Sequence, residues 1–244
     1  MKKKYVQVGL GGRARFFYEA IASTYHQTCE LVGFCDVSQT RMDYANRILV
    51  NKYGQKKVKT CMPSQFEQLL DDVRPAEVII TSVDRTHHDY IIRAMKKGYD
   101  VICEKPLTID EEKAQEIITV QKQTGRSLRV TFNYRYAPYH TKIKELIESD
   151  VIGDVFSIHF EWLLNTQHGA DYFRRWHRNK HNSGGLLVHK STHHFDLVNF
   201  WLNSRPQMVF AFGGLNFYGM HNAEKRGVEI FYSRCYGSEL AKAD

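Results

Sequence analysis

Residues 5–14 read YVQVGLGGRA, an apolar, β-rich run that leads directly into glycines. The run fits the pattern G-x-G-x-x-A of a strand–turn–helix unit. In such a unit the first glycine permits a tight turn, the second admits a pyrophosphate close to the backbone, and the small third residue lets helix and strand pack closely. The helix N-terminus favours the phosphate charge. The predicted dinucleotide-binding residues of this turn are Gly9, Gly11, Gly12, Arg13 and Ala14.

An acidic residue at the end of the second predicted strand supports this interpretation. Asp36 follows Ala14 by 22 residues, where a carboxylate would bind both ribose hydroxyls of an adenosine. The same acid disfavours a 2′-phosphate, so we expect NAD rather than NADP. Arg13 and Arg41 keep NADP as an alternative, because guanidinium groups bind phosphate. A glycine-rich turn that binds no ligand is the remaining alternative.

Apolar runs alternate with segments of helical period through the first half of the chain. The predicted strands are residues 5–9, 30–36, 77–83, 100–104 and 128–133. Strands that alternate with helices are typical of a parallel sheet covered on both faces. We therefore predict an α/β fold, with an N-terminal Rossmann domain of doubly wound parallel sheet over residues 1–128.

Helix boundaries are also visible in the sequence of this half. Capping boxes are predicted at Ser64 with Glu67 and at Thr108 with Glu111. Gly98 and Gly125 stand where helices should end.

The second half has a different pattern. Residues 137–149 are predicted to be a helix, 154–164 a strand with one wet face, 187–202 a helix and 208–218 another strand. This order predicts an α+β domain over residues 129–244, with an open and largely antiparallel sheet.

Composition excludes several classes of protein. The chain has 244 residues, 43% of them hydrophobic, and a formal net charge of +7. No apolar run approaches the roughly 20 residues of a membrane helix, and no basic stripe or aromatic RNA-binding signature is present. We expect neither a membrane nor a nucleic-acid partner. The basic balance indicates either a solvated surface or a small anionic ligand.

The five cysteines are odd in number and form no C-x-x-C pair. They are expected to be reduced core residues, and no metal is expected. The start of the chain lacks the apolar stretch of a signal peptide. The expected location is therefore the cytoplasm.

A candidate catalytic lysine follows the strand predicted at 100–104. Glu104-Lys105-Pro106 stands at the carboxyl edge of the sheet, where ligands of open α/β sheets bind. Lys105 could contact an alcohol oxygen and stabilise the negative charge that develops as its proton leaves. Pro106 could hold the backbone there, for instance through a cis bond. The alternative is an exposed lysine at a strand end.

The run GGLLVHKSTHHFD at 184–196 carries two histidines one helical turn apart, His189 and His193. One interpretation is a metal site, although the glutamate of H-E-x-x-H is absent. A second is an acid/base histidine oriented by a carboxylate such as Asp196. The third is simply the polar face of a helix.

Planar donors and aromatic faces are combined in the stretch 171–178. Tyr172, Arg175 and Trp176 suit a sugar or polyol, through hydrogen bonds to hydroxyls and stacking on the rings. A basic surface loop is the alternative.

Taken together, these motifs resemble the Gfo/Idh/MocA oxidoreductase family. The matching series is GLGGRA at 9–14, Asp36, TSVDRTHHDYIIRAMKKG at 81–98, EKP at 104–106, NYRY at 133–136 and GGLLVHKSTHHFD at 184–196. The resemblance implies a Rossmann domain followed by an α/β domain. It also implies hydride exchange between a nicotinamide cofactor and a sugar or polyol.

The resemblance also implies roles for individual residues. Lys105 matches the family lysine that touches nicotinamide and substrate, and His193 matches the histidine that accepts and donates the proton. Beyond the glycine turn, the expected cofactor residues are Asp36, Arg41, Ser82, His87, Glu104 and Lys105. The expected substrate-binding residues are Asn133, Arg135, Tyr172, Arg175, Trp176, His189 and Lys190.

Two departures from the family pattern keep alternatives open. His189 stands where the family often has an aspartate, and His189 with Lys190 resembles a branch that includes NAD-dependent glycosidases. Such an enzyme oxidises a ring hydroxyl transiently and eliminates the leaving group. A dinucleotide-binding regulator without catalysis is a third hypothesis. The chain is also expected to be short at its C-terminus relative to the family, and to form a homo-oligomer.

Overall fold

A computed structural model of the chain describes residues 1–165, 168–169, 172–173 and 175–227. The chain divides into two compact units, Met1–Thr131 and Phe132–Asp244. The sequence alone predicts this division at residue 128. The boundary lies after Thr131, because the last strand of the first unit runs to Val130. The backbone N–H of Thr131 still donates to the carbonyl oxygen of Cys103 in the first unit.

The first unit contains a six-stranded, wholly parallel sheet with the strand order β3-β2-β1-β4-β5-β6. The strands are β1 (Lys3–Val8), β2 (Cys29–Cys35), β3 (Lys59–Cys61), β4 (Glu77–Ile80), β5 (Asp100–Cys103) and β6 (Leu128–Val130). The predicted Rossmann-type parallel sheet is confirmed. The order reverses between β1 and β4, and ligands of open α/β sheets bind in the crevice outside such a switch point.

Five α-helices connect these strands. They are α1 (Ala14–Ala22), α2 (Gln39–Tyr53), α3 (Phe66–Val73), α4 (Asp84–Lys96) and α5 (Glu111–Thr124), with a 3₁₀ turn over Pro63–Gln65 before α3. Apolar side chains from the strands and helices form two buried clusters. One contains Val78, Ile91 and Met95, and the other contains Phe34 and Met42. Burial of the strands on both faces explains their continuous apolar sequences.

Several predicted boundaries in the first unit were wrong. β4 ends at Ile80 rather than residue 83, and β6 ends at Val130 rather than 133. The short edge strand β3 was missed, since three residues carry too little periodicity to be recognised. These differences arise where the chain leaves the sheet, which depends on the neighbouring strand.

Both predicted capping boxes were also wrong. Ser64 lies inside the 3₁₀ turn, and α3 begins without a side-chain cap. α5 is capped by Asp110, whose side chain accepts from the backbone N–H of Lys113. Asp110 immediately precedes the helix, so its carboxylate reaches the first free N–H groups. The predicted C-terminal stop is confirmed, because Gly125 ends α5 with a φ of +64°.

The regular secondary structure in the described part of the second unit consists of helices, and the rest of that part is irregular. It contains a 3₁₀ turn over Asn133–Tyr136, α6 (Pro138–Glu148), a 3₁₀ turn over Trp176–Arg178, and then α7 (Lys180–Ser183), α8 (Leu186–His189), α9 (Thr192–Leu202) and α10 (Met220–Lys225). The helix predicted at 137–149 is confirmed.

The two strands predicted for this unit are not formed. Residues 154–164 and 208–218 have no strand assignment. Among the described residues, no backbone hydrogen bond joins these two segments to each other. Alternating polarity produces a strand only where a neighbouring chain supplies the ladder.

The helix predicted at 187–202 is interrupted. The chain forms α8 to His189 and begins α9 at Thr192, with Lys190 and Ser191 between them. His189 and His193 therefore do not lie one turn apart on one helix. No helix among the described residues is long and apolar enough to span a membrane.

Candidate functional site

The glycine turn after β1 is tight at Gly9 and open at Gly11 and Gly12. Gly9 has a φ of +80°, and a Cβ atom built there would lie 2.4 Å from the Cα of Ser82. A side chain at Gly9 would therefore collide with the loop after β4. Cβ atoms built at Gly11 and Gly12 would meet no atom within 4 Å. The backbone of those two residues is open to a ligand at the N-terminus of α1, and these residues fit a pyrophosphate.

Asp36 lies beside this turn, directly after β2, and is only 5% exposed. Its Oδ2 accepts from the backbone N–H of Leu10 at 2.5 Å, and its Oδ1 accepts from that of Ser38 at 2.8 Å. A carboxylate has about four acceptor positions, so two remain for ribose hydroxyls. Arg41 Nη1 lies 3.8 Å from Oδ1 on an exposed side chain. Asp36 therefore fits the ribose role predicted from the sequence.

The structure places the Arg13 side chain on Glu104. Arg13 Nε donates to Glu104 Oε1 at 2.7 Å, and the guanidinium lies over the ring of Phe16. Glu104 is 5% exposed and also accepts from Thr131 Oγ1 at 3.1 Å and from the backbone N–H of Lys105 at 3.2 Å. The glycine turn and the segment that carries Lys105 are thus joined by an ion pair between a buried carboxylate and a guanidinium that remains 41% exposed.

Lys105 lies just beyond the carboxyl end of β5, half-buried, and its peptide bond to Pro106 is cis. His87 of α4 lies within hydrogen-bond distance of two backbone oxygens on neighbouring loops. Its Nδ1 is 2.9 Å from the carbonyl oxygen of Pro106, and its Nε2 is 3.1 Å from that of Ser82. His87, which is 1% exposed, therefore ties the loop after β4 to the loop that carries Lys105.

Asp84, the first residue of α4, is not among the site residues that the sequence predicts. Asp84 is 3% exposed. Burial raises the pKa of its carboxyl to about 7, while the charges of His87 and Lys105 oppose the rise. The sequence could have indicated Asp84, because an acidic residue at the start of the helix after β4 lies at the carboxyl edge of the sheet, where ligands bind.

In the second unit, His193 lies in an aromatic cluster. It is 4% exposed, and its ring is parallel to that of Tyr134, with 4.0 Å between centroids and 8° between planes. Phe132 contacts it edge-on at 6.2 Å. Lys190 Nζ donates to the Tyr134 hydroxyl at 2.9 Å. The structure thus brings together His193, Lys190 and the NYRY segment.

Arg135 binds the carboxylate of Asp196, the group that the sequence suggested for orienting a histidine. Arg135 Nε donates to Asp196 Oδ2 at 2.8 Å, and Arg135 Nη2 donates to Oδ1. The ion pair raises the pKa of the Arg135 guanidinium. A bidentate pair of this kind fixes geometry as well as charge. Arg135 therefore fastens the 3₁₀ turn to α9, while Asn133 on the same turn is exposed.

His189 belongs to a different ring cluster from His193. Its ring centroid lies 4.5 Å from that of His177 and 5.5 Å from those of Tyr172 and Trp176. Arg175, which precedes Trp176 in the chain, is partly buried. Asp171 and Arg174 of the same predicted stretch lie outside the described residues. Within the described part of the chain, no three His, Cys, Asp or Glu side chains are grouped to hold a metal ion.

Two family models match the chain. Residues 3–132 match the Gfo/Idh/MocA model described as "Oxidoreductase family, NAD-binding Rossmann fold". Residues 144–232 match the model described as "Oxidoreductase family, C-terminal alpha/beta domain".

Similar proteins include named dehydrogenases. The chain is 38% identical to YteT of Bacillus subtilis (strain 168), a protein named as an oxidoreductase, over 89% of this chain and 50% of that protein. It is 29% identical to glucose-6-phosphate 3-dehydrogenase of the same organism, over 80% of this chain and 53% of that protein. The chain thus spans about half the length of these relatives.

A solved structure shares the fold. Scyllo-inositol dehydrogenase from Lactobacillus casei, with bound NAD(H) and scyllo-inositol, superposes with a TM-score of 0.67 at 22% identity. The match covers 83% of this chain and 57% of that one. With both family models matched, and the glycine turn, Asp36 and Lys105 found at one edge of a parallel sheet, the chain belongs to the Gfo/Idh/MocA oxidoreductase family.

Proposed function

We propose that this protein is an NAD-dependent oxidoreductase that exchanges a hydride with a hydroxyl-bearing carbon of a sugar or polyol. The observation that carries the proposal is the arrangement at the carboxyl edge of the first sheet. The open backbone at Gly11 and Gly12, the acceptor Asp36 and the segment that carries Lys105 lie in one unit. In that segment Glu104 accepts from the backbone N–H of Lys105, and His87 contacts the carbonyl oxygen of Pro106. Dehydrogenase relatives such as glucose-6-phosphate 3-dehydrogenase support the substrate class.

Residues of the first unit would hold the cofactor. The turn at 9–14 would bind the pyrophosphate, and Asp36 would accept hydrogen bonds from the adenosine ribose. When bound, NAD supplies the hydride acceptor. A carboxylate at Asp36 repels a 2′-phosphate, which favours NAD over NADP. Arg13 supports the same preference, because its guanidinium is engaged by Glu104.

Two side chains would act on the substrate. The Lys105 ammonium would donate a hydrogen bond to the hydroxyl oxygen and stabilise its negative charge as the proton leaves. His193 would accept that proton as general base, while the carbon-bound hydrogen leaves with its electron pair. The reverse reaction returns the proton from His193 to the oxygen. Stacking on Tyr134 would hold the imidazole plane in place.

The test measures cofactor binding and hydride transfer separately. Calorimetric titration with NAD and with NADP should show tighter binding of NAD. Incubation with NAD and a panel of inositols, glucosides and sugar phosphates should then form NADH in proportion to substrate consumed. Absence of NAD binding would overturn the proposal. Turnover of glycosides without added NAD, with solvent deuterium entering the sugar, would replace it with the redox glycosidase.

A further inference from the structure

Asp84 and Lys105 lie at the ends of two adjacent strands. β4 and β5 pair in register, with Ile80 opposite Cys103. Asp84 begins α4 four residues after the end of β4, and Lys105 follows β5 by two residues. Both residues are therefore at the carboxyl edge of the sheet, on neighbouring loops.

The two loops are tied together around this pair. His87, one turn after Asp84 on α4, lies 2.9 Å from the carbonyl oxygen of Pro106, the residue after Lys105. Its other ring nitrogen lies 3.1 Å from the carbonyl oxygen of Ser82. The start of α4 and the Lys105 loop are thus held at a fixed separation.

The charges around Asp84 come from both loops. His87 on its own helix and Lys105 on the neighbouring loop stabilise its carboxylate, while Glu104 opposes ionisation. The thiol of Cys103 on β5 also senses Asp84, and its pKa is raised by burial and by the carboxylates of Glu104 and Asp84. Among these groups Lys105 is the basic side chain on the neighbouring loop. A carboxylate that is 3% exposed requires such a partner to remain ionised.

We propose that Asp84 is a positioning residue for Lys105, whose ammonium it holds charged and oriented at the edge of the sheet. The importance of this role for turnover rests on the proposed function, in which Lys105 contacts the substrate hydroxyl. The role itself is a property of the pair. A carboxylate that only begins α4 would leave the ionisation of Lys105 unchanged.

The test measures the ionisation of Lys105 directly. Cofactor-free protein is labelled with a trace of acetic anhydride between pH 6 and 10, and the acetylation of the peptide containing Lys105 is quantified by mass spectrometry. Asp84→Asn should lower the lysine pKa by at least about one unit, so acetylation at pH 8 should rise about tenfold. The difference from the parent protein should shrink toward pH 6, where Asp84 of the parent protein takes up its proton.

Two further variants make the result specific. Asp84→Glu should restore the acetylation rate of the parent protein. Asp89→Asn, on the same helix but on an exposed side chain paired with Arg93, should leave it unchanged. Equal acetylation of Lys105 in the parent protein and Asp84→Asn at every pH would overturn the proposal. If Asp84→Asn does not fold, the dependence of Lys105 acetylation on pH in the parent protein provides the test. A dependence that fits a single ionisation, with no inflection near pH 7, would overturn the proposal.

Failure of this proposal and failure of the proposed function are distinguishable. Lys105 acetylation needs neither NAD nor substrate, so the pair can be established in a protein that transfers no hydride. If hydride transfer is established, Asp84→Asn should lower kcat at least about tenfold with little change in the Kd for NAD. A normal kcat with an altered Lys105 pKa would show that the pair exists and that turnover does not depend on it.

Discussion

The imidazole of His193 lies parallel to the phenol ring of Tyr134, with 4.0 Å between their centroids. The Tyr134 hydroxyl in turn accepts a hydrogen bond from Lys190. The carboxylate of Asp196, the candidate for orienting this histidine, is instead bound by Arg135 through two hydrogen bonds. Stacking therefore sets the plane of the imidazole, and the Arg135–Asp196 pair fixes the segments that carry the two stacked rings.

Replacement of His193 by Asn should lower kcat by about 10² to 10⁴, the usual contribution of a general base. The Kd for NAD should stay unchanged, because the groups assigned to the cofactor lie in the first unit. Steady-state kinetics and calorimetry measure the two quantities. His181→Asn, on an exposed residue of α7, is the matched control and should keep full activity. Equal kcat values for the two variants would remove His193 from the mechanism.

Replacement of Lys105 by Met should lower kcat by about 10² to 10³, because it removes the cation that stabilises the developing alkoxide. NAD affinity should be largely retained. Lys122→Met, on the exposed face of α5, is the control. Unchanged turnover in Lys105→Met would contradict the assignment.

Replacement of Asp36 by Asn should weaken NAD binding by about 1.5–3 kcal/mol, the value of hydrogen bonds to a charged group, or about 10- to 150-fold in Kd. NADP should lose less affinity, since the repulsion of its 2′-phosphate disappears. Calorimetric titration with each nucleotide gives the ratio. Asp43→Asn, on the exposed face of α2, should change neither affinity. A parallel loss for both nucleotides would show that Asp36 does not discriminate between them.

Alanine at Gly9 should lower the stability of the fold, whereas alanine at Gly11 should weaken NAD binding. Gly9→Ala places a Cβ 2.4 Å from Ser82 Cα at a φ of +80°, so it should destabilise the fold by about 2 kcal/mol or more. Gly11→Ala meets no protein atom and should leave Tm unchanged, but its methyl group should weaken NAD binding. Thermal unfolding and calorimetry of the two variants test the pair. Normal NAD affinity in Gly11→Ala would place the pyrophosphate elsewhere.

Stability should fall as the pH is lowered, in part because of His140. Its ring is 3% exposed and stacked against Trp201, and neither ring nitrogen has a hydrogen-bond partner among the described residues. Burial lowers the pKa of this histidine in the folded state. The unfolded chain therefore takes up a proton first, and stability present above about pH 6.5 is lost as the pH falls toward the folded pKa.

His140→Phe keeps the ring and removes the titration. The slope of unfolding free energy against pH between about pH 7.5 and 5 should become shallower, by up to about 1.4 kcal/mol per pH unit for one proton. His194, whose pKa is also lowered by burial and by Lys190, keeps part of the dependence. Urea unfolding across this range provides the measurement. An unchanged slope would mean that His140 is protonated equally in the folded and unfolded states.

Local signals in the sequence were enough to predict the first unit. The apolar runs are buried on both faces of the sheet, so their composition identifies them wherever their neighbours lie. Gly9 and Gly125 are required by backbone conformations with positive φ, which are local properties. The edge strand β3 lacked such a signal because it is only three residues long.

Tertiary structure decided what depends on distant partners. The alternating polarity of segments 154–164 and 208–218 predicts strands, but a strand needs a neighbouring strand for its backbone hydrogen bonds. In the part of the chain that the structure describes, no backbone hydrogen bond joins these two segments.

Side-chain partners at the site were equally non-local. Arg13 reaches Glu104 and Arg135 reaches Asp196 across 91 and 61 residues of chain. The sequence by itself determined the class of the first unit and the residue types at its ligand edge, because helix and strand periods and glycine conformations are local. Only the tertiary structure decided which charged groups pair there, because pairing depends on through-space distance. It also placed the buried Asp84 on the loop next to the one that carries Lys105.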